Sequence, residues 1–510
     1  MTSIVPEKDR SADRPDSMSS EQATTPYADA LLRHRDALRA PFMIPGHSAG
    51  VWGSTAQLSA FMGAEAVALD IPQLLPGVDL EADSPYARSR ELAAQAWNAE
   101  HTWFLTNGAS QGNRMALMAV QPLGEVVIAQ RSMHSSFFDG LVMSGLRPRF
   151  VDPTLDPVHG IAHGVTAASV EAQLLRAKDA GMTVAATAIV SPSYFGAVAD
   201  VRGIAEVSHR HGVPLIVDAS WGAHFGFHPE FPESPTVQGA DIVVSSVHKL
   251  GGSLTQTALL HLTAGEHGGE LQSHLERAFR LTESTSPNSL LLASLDIARA
   301  ELVTNTAGLE AALDAASTAR ELVSRSDLLR LPDADFLAHP DVIGLDPLHV
   351  AIDVRALGLS GGAVKSLLAQ DHGVFVEIAA ETSIVALIGA GQRAQVPLLI
   401  DALESIGSST PVGRHGTASL PPLTPPAAGE AVATPREAYL APSELVPTAD
   451  AVGRISADLL AAYPPGIPNV VPGERITREA ADFLQAVATR PAGYVRGAAD
   501  PLVQRMRVLR

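Results

Sequence analysis

Short apolar runs alternate with helix-like segments through the middle of the chain, and this alternation constrains the fold more than any other feature. The runs are rich in β-branched residues or alanine, so they predict strands that are buried on both faces. Between two of them, Val201–His211 has a helical pattern, and Gly212 suits the position just after its end. We therefore predict an α/β fold with an open, mainly parallel sheet flanked by helices. The predicted strands are Glu125–Ala129, Val184–Val190, Pro214–Asp218, Ile242–Ser246 and Ala258–Leu262.

A smaller α+β unit is predicted after the large one. Its strands are expected at His349–Val354 and Ser383–Ile388, and its helices near Gly362–Gln370 and Gln395–Ile406. Residues 407–434 are crowded with Pro, Gly, Ser, Thr and Ala, which is typical of a flexible linker. The predicted domains are a disordered tail at 1–25, an N-terminal segment at 26–80, a large domain at 81–333 and a small domain at 334–510. We also predict helices at Tyr27–Arg39, Ser84–Glu100 and Thr477–Ala488, and a solvated C-terminal tail carrying Arg505, Arg507 and Arg510.

Composition excludes several classes of protein. The formal net charge of −19 argues against bulk binding to nucleic acid. The chain has no cysteine, so it forms neither disulfides nor thiolate metal sites, and we assign no metal ligand. No apolar run approaches the roughly 18–20 residues of a membrane span, and the N-terminus lacks the apolar core of a signal peptide. We expect a cytoplasmic protein that binds no membrane.

Lys249 and Asp218 are the first candidates for chemistry, because each ends an apolar strand. A lysine framed by small and polar residues is well placed to hold an aldehyde cofactor as an imine, with an aspartate as partner of a ring nitrogen. The alternatives are a lysine that reaches solvent and an aspartate that caps the next helix. The pair favours a pyridoxal-phosphate (PLP) enzyme.

Other residues are candidates for holding this cofactor or the substrate. The turn at Ala109, Ser110 and Gln111 opens a helix-like stretch, and free N–H groups at such a helix start suit a phosphate. His134 follows a strand and is a candidate to stack on a planar ring or to move a proton, although an isolated loop histidine is more often structural. The remaining candidates are Ser246 and His248 for phosphate, Trp221 and His224 for the pocket wall, and Glu474 for a distal cation of the substrate.

These segments together resemble the Orn/Lys/Arg decarboxylase family, in its short form without an N-terminal receiver-like domain. The resemblance runs from about Pro45 to Glu474, and its most specific part is the S-x-H-K signature at Ser246–Lys249 with the following Thr255-Gln256. Further similar stretches occur in the expected order: Pro45-Gly46-His47, Asn107-Gly108-Ala109-Ser110, Ser191-Pro192-Ser193-Tyr194, Ser286–Asp296, Thr434–Ala438 and Tyr463–Pro468.

The resemblance implies PLP fold type I and a role for each candidate. Lys249 forms the imine with PLP, Asp218 pairs with the pyridine nitrogen, and His134 stacks on the ring. The phosphate is held by residues of two loops, and Trp221 lies beside the cofactor. The family's active sites lie at a dimer interface, so we expect a homodimer in which Ser286 and its neighbours approach the partner's site. The phosphate ligands implied are Ala109, Ser110, Ser246 and His248.

The main functional hypothesis is decarboxylation of lysine, arginine or ornithine to the amine and CO₂, with Lys249 or His134 returning a proton to Cα. A second hypothesis is a PLP-dependent aminotransferase or lyase with the same core but another orientation of the substrate. A third is a non-catalytic protein that binds PLP or an amino acid. The sequence does not choose among the three basic amino acids. The family often has Lys or an acidic residue where this chain has Ser48, Ser135 and Ala219, which bears on substrate and pH response.

Overall fold

The computed structural model describes residues 20–50, 56–409, 423–463, 467–490 and 493–510. Its α-helices are α1 Pro26–Ala37, α2 Ala56–Met62, α3 Ala64–Leu69, α4 Pro85–Ala96, α5 Gly108–Val120, α6 Ser135–Ser144, α7 Ala167–Asp179, α8 Val201–Arg210, α9 Val247–Leu250, α10 Gly268–Thr282, α11 Ser289–Thr304, α12 Thr306–Arg325, α13 Asp333–Phe336, α14 Gly361–His372, α15 Val396–Ser409, α16 Pro435–Leu440, α17 Thr448–Ala451 and α18 Arg478–Ala488.

The strands fall into one large sheet and several small ones. They are β1 His101–Leu105, β2 Val126–Gln130, β3 Arg147–Val151, β4 Leu155–Asp156, β5 Ile161–Ala162, β6 Val184–Val190, β7 Ala197–Val198, β8 Leu215–Asp218, β9 Ile242–Ser245, β10 Ala258–Leu262, β11 Gly344–Leu345, β12 His349–Asp353, β13 Ile378–Ala379, β14 Ser383–Leu387, β15 Ser443–Pro447, β16 Leu460–Tyr463, β17 Ile467–Val470, β18 Tyr494–Arg496 and β19 Arg505–Leu509. Each of the five strands predicted for the large sheet is present, with bounds that agree to within one residue.

The large sheet has seven strands in the order β1-β10-β9-β8-β6-β2-β3. Strands β9, β8, β6, β2 and β3 are parallel, and β10 runs antiparallel to both of its neighbours. The fold is therefore of the predicted α/β class with a mainly parallel sheet. The parallel strands bring their carboxyl ends to one edge, where ligands of such sheets bind.

Two hydrophobic clusters cover the faces of this sheet. On one face, α5, α6 and α10 pack over strand residues such as Val127 and Val244; on the other, α7 and α8 pack over Ile128 and Val243. Adjacent residues of β2 and of β9 thus enter opposite clusters, which explains why these strands are apolar at every position rather than at alternate ones. Burial on both faces holds the strand ends, and the polar residues that follow them, in fixed positions.

The smaller unit contains a three-stranded sheet, β12-β14-β13, with α14 and α15 beside it. Beyond it, β15 pairs with β19 and β16 pairs with β17 and β18. The prediction of a solvated C-terminal tail was wrong, because Arg505–Leu509 forms strand β19. Along this strand, the buried residues Met506 and Val508 alternate with more exposed arginines. The domain boundaries remain predictions.

Two predicted flexible segments fall partly outside the described residues. Residues 1–19 of the predicted tail and 410–422 of the predicted linker are not described. The described ends of the linker are structured, because α15 extends to Ser409 and Ala431 forms a β-bridge with Glu474. Within the described ranges, no helix combines the length and apolar character that crossing a membrane requires.

Candidate active site

Lys249 lies in α9, a single helical turn directly after β9. Its Nζ is 3.6 Å from the centre of the Trp221 ring, which covers the amine on one side. Burial lowers the pKa of Lys249 to about 8, although the negative charges of Asp218 and Glu377 act in the opposite direction. The amine therefore loses its proton more readily than a solvated lysine, which suits attack on an aldehyde.

Asp218 ends β8 and is only 2% exposed. Its Oδ2 accepts a hydrogen bond of 2.8 Å from Nδ2 of Asn113, and its Oδ1 accepts from the backbone and hydroxyl of Ser220. Asn113 also donates to Ser136, so α5 and α6 fix the carboxylate together. Among the described residues, no arginine, lysine or histidine forms an ion pair with Asp218. Burying a carboxylate without a cation is unfavourable in free energy, so Asp218 is suited to bind a cationic ligand.

His134 is the N-cap residue of α6 and faces the same cavity. Its Nδ1 accepts a hydrogen bond from the backbone N–H of Ser136, which leaves the ring proton on Nε2. Burial lowers the pKa of His134 to about 4; Asp218 opposes this shift and Lys249 reinforces it. The ring is therefore neutral at pH 7 and is suited to stacking on another planar ring.

The start of α5 forms one end of this cavity. Gly108 has φ +71°, a conformation that favours glycine, and it lies beside the carbonyl of Gln256, which itself has φ +80°. The backbone therefore turns sharply before Ala109 and Ser110, whose N–H groups begin the helix. Such N–H groups, together with the helix dipole, bind anions.

Ser246 and His248 complete this end of the cavity. Nδ1 of His248 lies 2.7 Å from the carbonyl of Thr257, so Nδ1 carries a proton and Nε2 remains available to a ligand. Burial lowers the pKa of His248, while its bond to Thr257 acts in the opposite direction. The cavity has a volume of about 460 Å³ and contains eight of the eleven predicted site residues. These are Ala109, Ser110, His134, Asp218, Trp221, Ser246, His248 and Lys249.

The structure does not bring Gln111 and Glu474 into the lining of this cavity. Gln111 is buried; its Nε2 donates to Glu283 and its Oε1 accepts from Asn107, so it supports the turn from behind. Glu474 is 5% exposed, and its two carboxylate oxygens accept hydrogen bonds of 2.8 and 2.9 Å from Arg131. A carboxylate engaged in this way has little capacity left for a substrate, so the predicted substrate-binding role of Glu474 does not fit its position.

His224 is likewise not a wall of the pocket. It is fully buried, and its Nε2 is 3.0 Å from Oδ1 of Asp346, whose Oδ2 is 2.7 Å from Nδ1 of His349. Although burial favours the neutral acid, the two histidines hold the pKa of Asp346 below its usual range. This array joins the loop after β8 to the start of β12, and the His349 ring packs edge-on against Trp221.

A second cavity, of about 470 Å³, adjoins the first, and Tyr194 and Trp221 line both. Its walls include two carboxylates of the small domain, Glu377 and Glu381. Glu381 pairs with Arg490 at 3.1 Å. Sequence reasoning missed Glu377 and Asn113. Asn113 lay in the motif region, six residues after Asn107, whereas no local signal in the sequence marks Glu377.

The mainly parallel sheet, with a lysine just after β9 and an oriented aspartate at the end of β8, is that of PLP fold type I. Comparison with known sequences then gives the family. The sequence model of the Orn/Lys/Arg decarboxylase major domain matches residues 25–344, and that of the Orn/Lys/Arg decarboxylase C-terminal domain matches residues 425–492. The chain belongs to the Orn/Lys/Arg decarboxylase family and is an amino-acid decarboxylase.

Individual relatives are similar over nearly the whole chain. The arginine decarboxylase of Bacillus subtilis (strain 168) is 34% identical over 497 residues, which are 96% of this chain and 98% of that protein. The lysine decarboxylase LdcA of Pseudomonas aeruginosa is 24% identical and covers 91% of this chain and 76% of its own length. The crystal structure of the Francisella novicida lysine decarboxylase LdcF covers 96% of this chain and 82% of its own, with a TM-score of 0.79 and 19% identity. The structural likeness confirms the predicted fold.

Proposed function

We propose that the chain is a PLP-dependent decarboxylase of a basic L-amino acid, with L-arginine as its substrate. The observation that carries the proposal is the meeting, in one cavity, of a buried lysine of lowered pKa, a buried carboxylate without a cation and a helix N-terminus. The arginine decarboxylases that are 32–34% identical over 96% of this chain support arginine among the basic amino acids.

The site residues fit PLP by their donors and charges. Asp218, oriented by Asn113, would pair with a protonated pyridine nitrogen, which would supply the cation that the carboxylate lacks. The N–H groups of Ala109 and Ser110 and the hydroxyl of Ser246 would donate to the phosphate, and His248 would donate through Nε2 in its protonated form. His134 would stack on the ring, and Lys249 would bind the aldehyde. PLP, when bound, supplies an electron sink for the bond between Cα and the carboxylate.

Lys249 is the better candidate to return a proton to Cα. With a pKa of about 8 its amine is mostly protonated at pH 7, whereas His134, with a pKa of about 4, is almost entirely neutral. The Nε2 proton of neutral His134 is far less acidic. We therefore propose that Nζ of Lys249 delivers the proton and that His134 stacks on the ring; the two pKa values support this choice.

Glu377 is our candidate for binding the distal guanidinium. Glu377 lines the cavity next to the Lys249 site, and its negative charge partly opposes the burial that lowers the pKa of both Lys249 and His248. Among the described residues it forms no ion pair, unlike Glu381. A carboxylate that can pair with a guanidinium gives a charge-assisted hydrogen bond of about 1.5–3 kcal/mol.

Replacing Glu377 by Gln should raise KM for arginine by roughly 10–100-fold with a small change in kcat, because that bond acts on substrate binding. The control is Glu404→Gln on the exposed face of α15, which should leave both parameters unchanged. An unchanged KM in Glu377→Gln would exclude this carboxylate from substrate recognition.

The reaction is tested with PLP-loaded protein and a panel of L-amino acids, by measuring CO₂ release and the product mass. Agmatine from arginine confirms the proposal. Cadaverine or putrescine without agmatine would reassign the substrate, and a keto acid or ammonia in place of CO₂ would contradict decarboxylation. Lys249→Ala should abolish both turnover and the absorbance of the lysine-bound cofactor, while retained turnover would exclude Lys249.

We also propose that two copies form a homodimer with the active site at the interface. The N-terminal segment exposes several large apolar side chains, which costs free energy unless another surface covers them. Light scattering should give a dimer, and Phe61→Ser should weaken it; a monomeric native protein would contradict the proposal. The exposed side chains are Phe42, Ile44, Phe61, Met62 and Leu74.

A further inference from the structure

Three potential metal ligands meet away from the active-site cavities. Asp156 ends β4, His163 follows β5 on the same hairpin, and His339 lies in the loop after α13. Oδ2 of Asp156 is 3.7 Å from Nε2 of His163 and 3.6 Å from Nε2 of His339, and the two imidazole rings are 4.8 Å apart. One ligand atom from each residue lies within 4.8 Å of the others.

The polar atoms of this cluster have unused bonding capacity. Asp156 and His163 are 2% and 1% exposed, and among the described residues neither Oδ2 of Asp156 nor either ring nitrogen of His163 has a hydrogen-bond partner. Burying such atoms without a partner costs about 1–3 kcal/mol each. An ion pair between Asp156 and a protonated His163 would give Nε2 of His163 a partner at 3.7 Å, but it would leave Nδ1 of the same ring without one among the described residues.

The backbone orients the free carboxylate oxygen toward the histidines. Oδ1 of Asp156 accepts hydrogen bonds from the N–H groups of Val158 and His159, at 2.7 and 3.0 Å, so Oδ2 is left to face the two rings. The Phe336 ring packs against His163 with a centroid distance of 5.0 Å and supplies an apolar wall. Oriented ligands in a partly apolar surrounding are typical of metal sites.

We propose that Asp156, His163 and His339 bind a divalent transition-metal ion, with Zn²⁺ as the preferred ion. Ligands about 2.0–2.1 Å from a tetrahedral ion lie roughly 3.3 Å apart, so the Asp–His distances need to close by only a few tenths of an ångström. Two imidazoles and one carboxylate favour Zn²⁺ over Mg²⁺ or Ca²⁺, which prefer oxygen ligands. His339 has a side chain 19% exposed, so water can reach the fourth position.

The site would connect two parts of the chain, one of which also walls the second cavity. The hairpin that carries Asp156 and His163 presents His159 and Gly160 to that cavity, and Asp156 itself accepts from the N–H of His159. On the other side, Asp341 binds the N–H of Gly164 through its carboxylate, close to His339 in sequence. A bound ion would hold this hairpin against the 333–343 segment and so stabilise the fold at this place.

The test uses the holoenzyme without an affinity tag, stripped with a chelator and then titrated with Zn²⁺ and with Co²⁺. We expect one metal ion per chain, with or without PLP, and the visible bands of four-coordinate Co²⁺. His339→Asn, at the most exposed ligand, should weaken Zn²⁺ affinity by more than about 100-fold while retaining PLP absorbance and circular dichroism. Asp156→Asn should do the same.

The matched control is His209→Asn, because His209 pairs with Asp241 at 2.8 Å and no third potential ligand completes a metal-binding group with them in the described part of the chain. It should bind metal like the unmodified protein. Failure of the unmodified protein to bind either ion, equal Zn²⁺ affinity in His339→Asn, or loss of the metal in His209→Asn would overturn the proposal. None of these results depends on which amino acid the enzyme uses.

Discussion

Lys249→Met is predicted to make the PLP-free protein more stable at neutral pH while removing its activity. The folded environment lowers the pKa of Lys249 from 10.5 to about 8, chiefly through burial. Folding therefore disfavours the charged amine, and the separation of these two pKa values corresponds to at most about 3 kcal/mol. Methionine has a similar length and carries no charge, so it removes this cost.

The predicted gain depends on pH in a definite direction. Below pH 8 Lys249 is charged in both the folded and the unfolded chain, so the full cost is present. Between about pH 8 and 10.5 the folded chain loses the proton first, so the unfolded chain binds more protons and the stability of the unmodified protein rises with pH. The advantage of Lys249→Met should therefore shrink across this interval.

Thermal unfolding of the PLP-free proteins at pH 7 and pH 10 measures this difference. For a chain of this size, 3 kcal/mol corresponds to an increase in Tm of about 3 °C. Lys178→Met, at an exposed position on α7, is the matched control and should change stability by less than about 0.5 kcal/mol at either pH. The reasoning fails if Lys249→Met is destabilising at pH 7, or if its advantage is the same at both pH values.

Three further predictions concern the supports of the site. Asp218→Asn should shift the midpoint of pH-dependent PLP uptake to lower pH, because the charge of Asp218 partly offsets the lowering of the Lys249 pKa by burial. A spectroscopic titration that shows no shift would mean that the charge of Asp218 does not act on Lys249. Arg131→Met should lower the free energy of unfolding by about 3–5 kcal/mol, since it leaves the buried Glu474 carboxylate without its cation, and urea denaturation would contradict this if the loss were below 1 kcal/mol. Gly108→Ala should cost about 1–2 kcal/mol of backbone strain and weaken PLP binding in equilibrium dialysis, and an unchanged affinity would show that the turn adapts.

The strands of the large sheet were predictable because burial on both faces leaves a local signature in the sequence. Strand β19 carries a local signature too, with Met506 and Val508 buried between arginines, but the arginines were interpreted as solvated. Its partner β15 lies about sixty residues earlier, and such a pairing depends on the folded arrangement of the chain. A charged edge strand therefore looks like a tail when only its charges are considered.

The candidate site, too, contains residues that could be predicted from the sequence and residues that could not. Lys249, Asp218, His134 and their neighbours follow strands whose carboxyl ends meet at one edge, so chain order and strand ends were enough to bring them together. Glu474 follows a proline-rich loop, and nothing local reveals that Arg131, more than three hundred residues earlier, already engages it. The metal candidates present the same difficulty, because His339 is remote in sequence from the hairpin of Asp156 and His163.

The two adjoining cavities are lined by different parts of the chain, and this arrangement bears on how such an enzyme can change its substrate specificity. Asp218 ends a strand of the large sheet and Lys249 lies in the helical turn after another, whereas Glu377 belongs to the small unit. The two cavities meet at Trp221. Trp221 is held from behind by His349, which the buried Asp346 ties to the large domain. Under the proposed assignments, the group that selects the distal cation stands on a different element from the groups that act at Cα. Substitutions near Glu377 should then alter KM among basic amino acids while the cofactor site, buried and bonded within the large domain, keeps its chemistry.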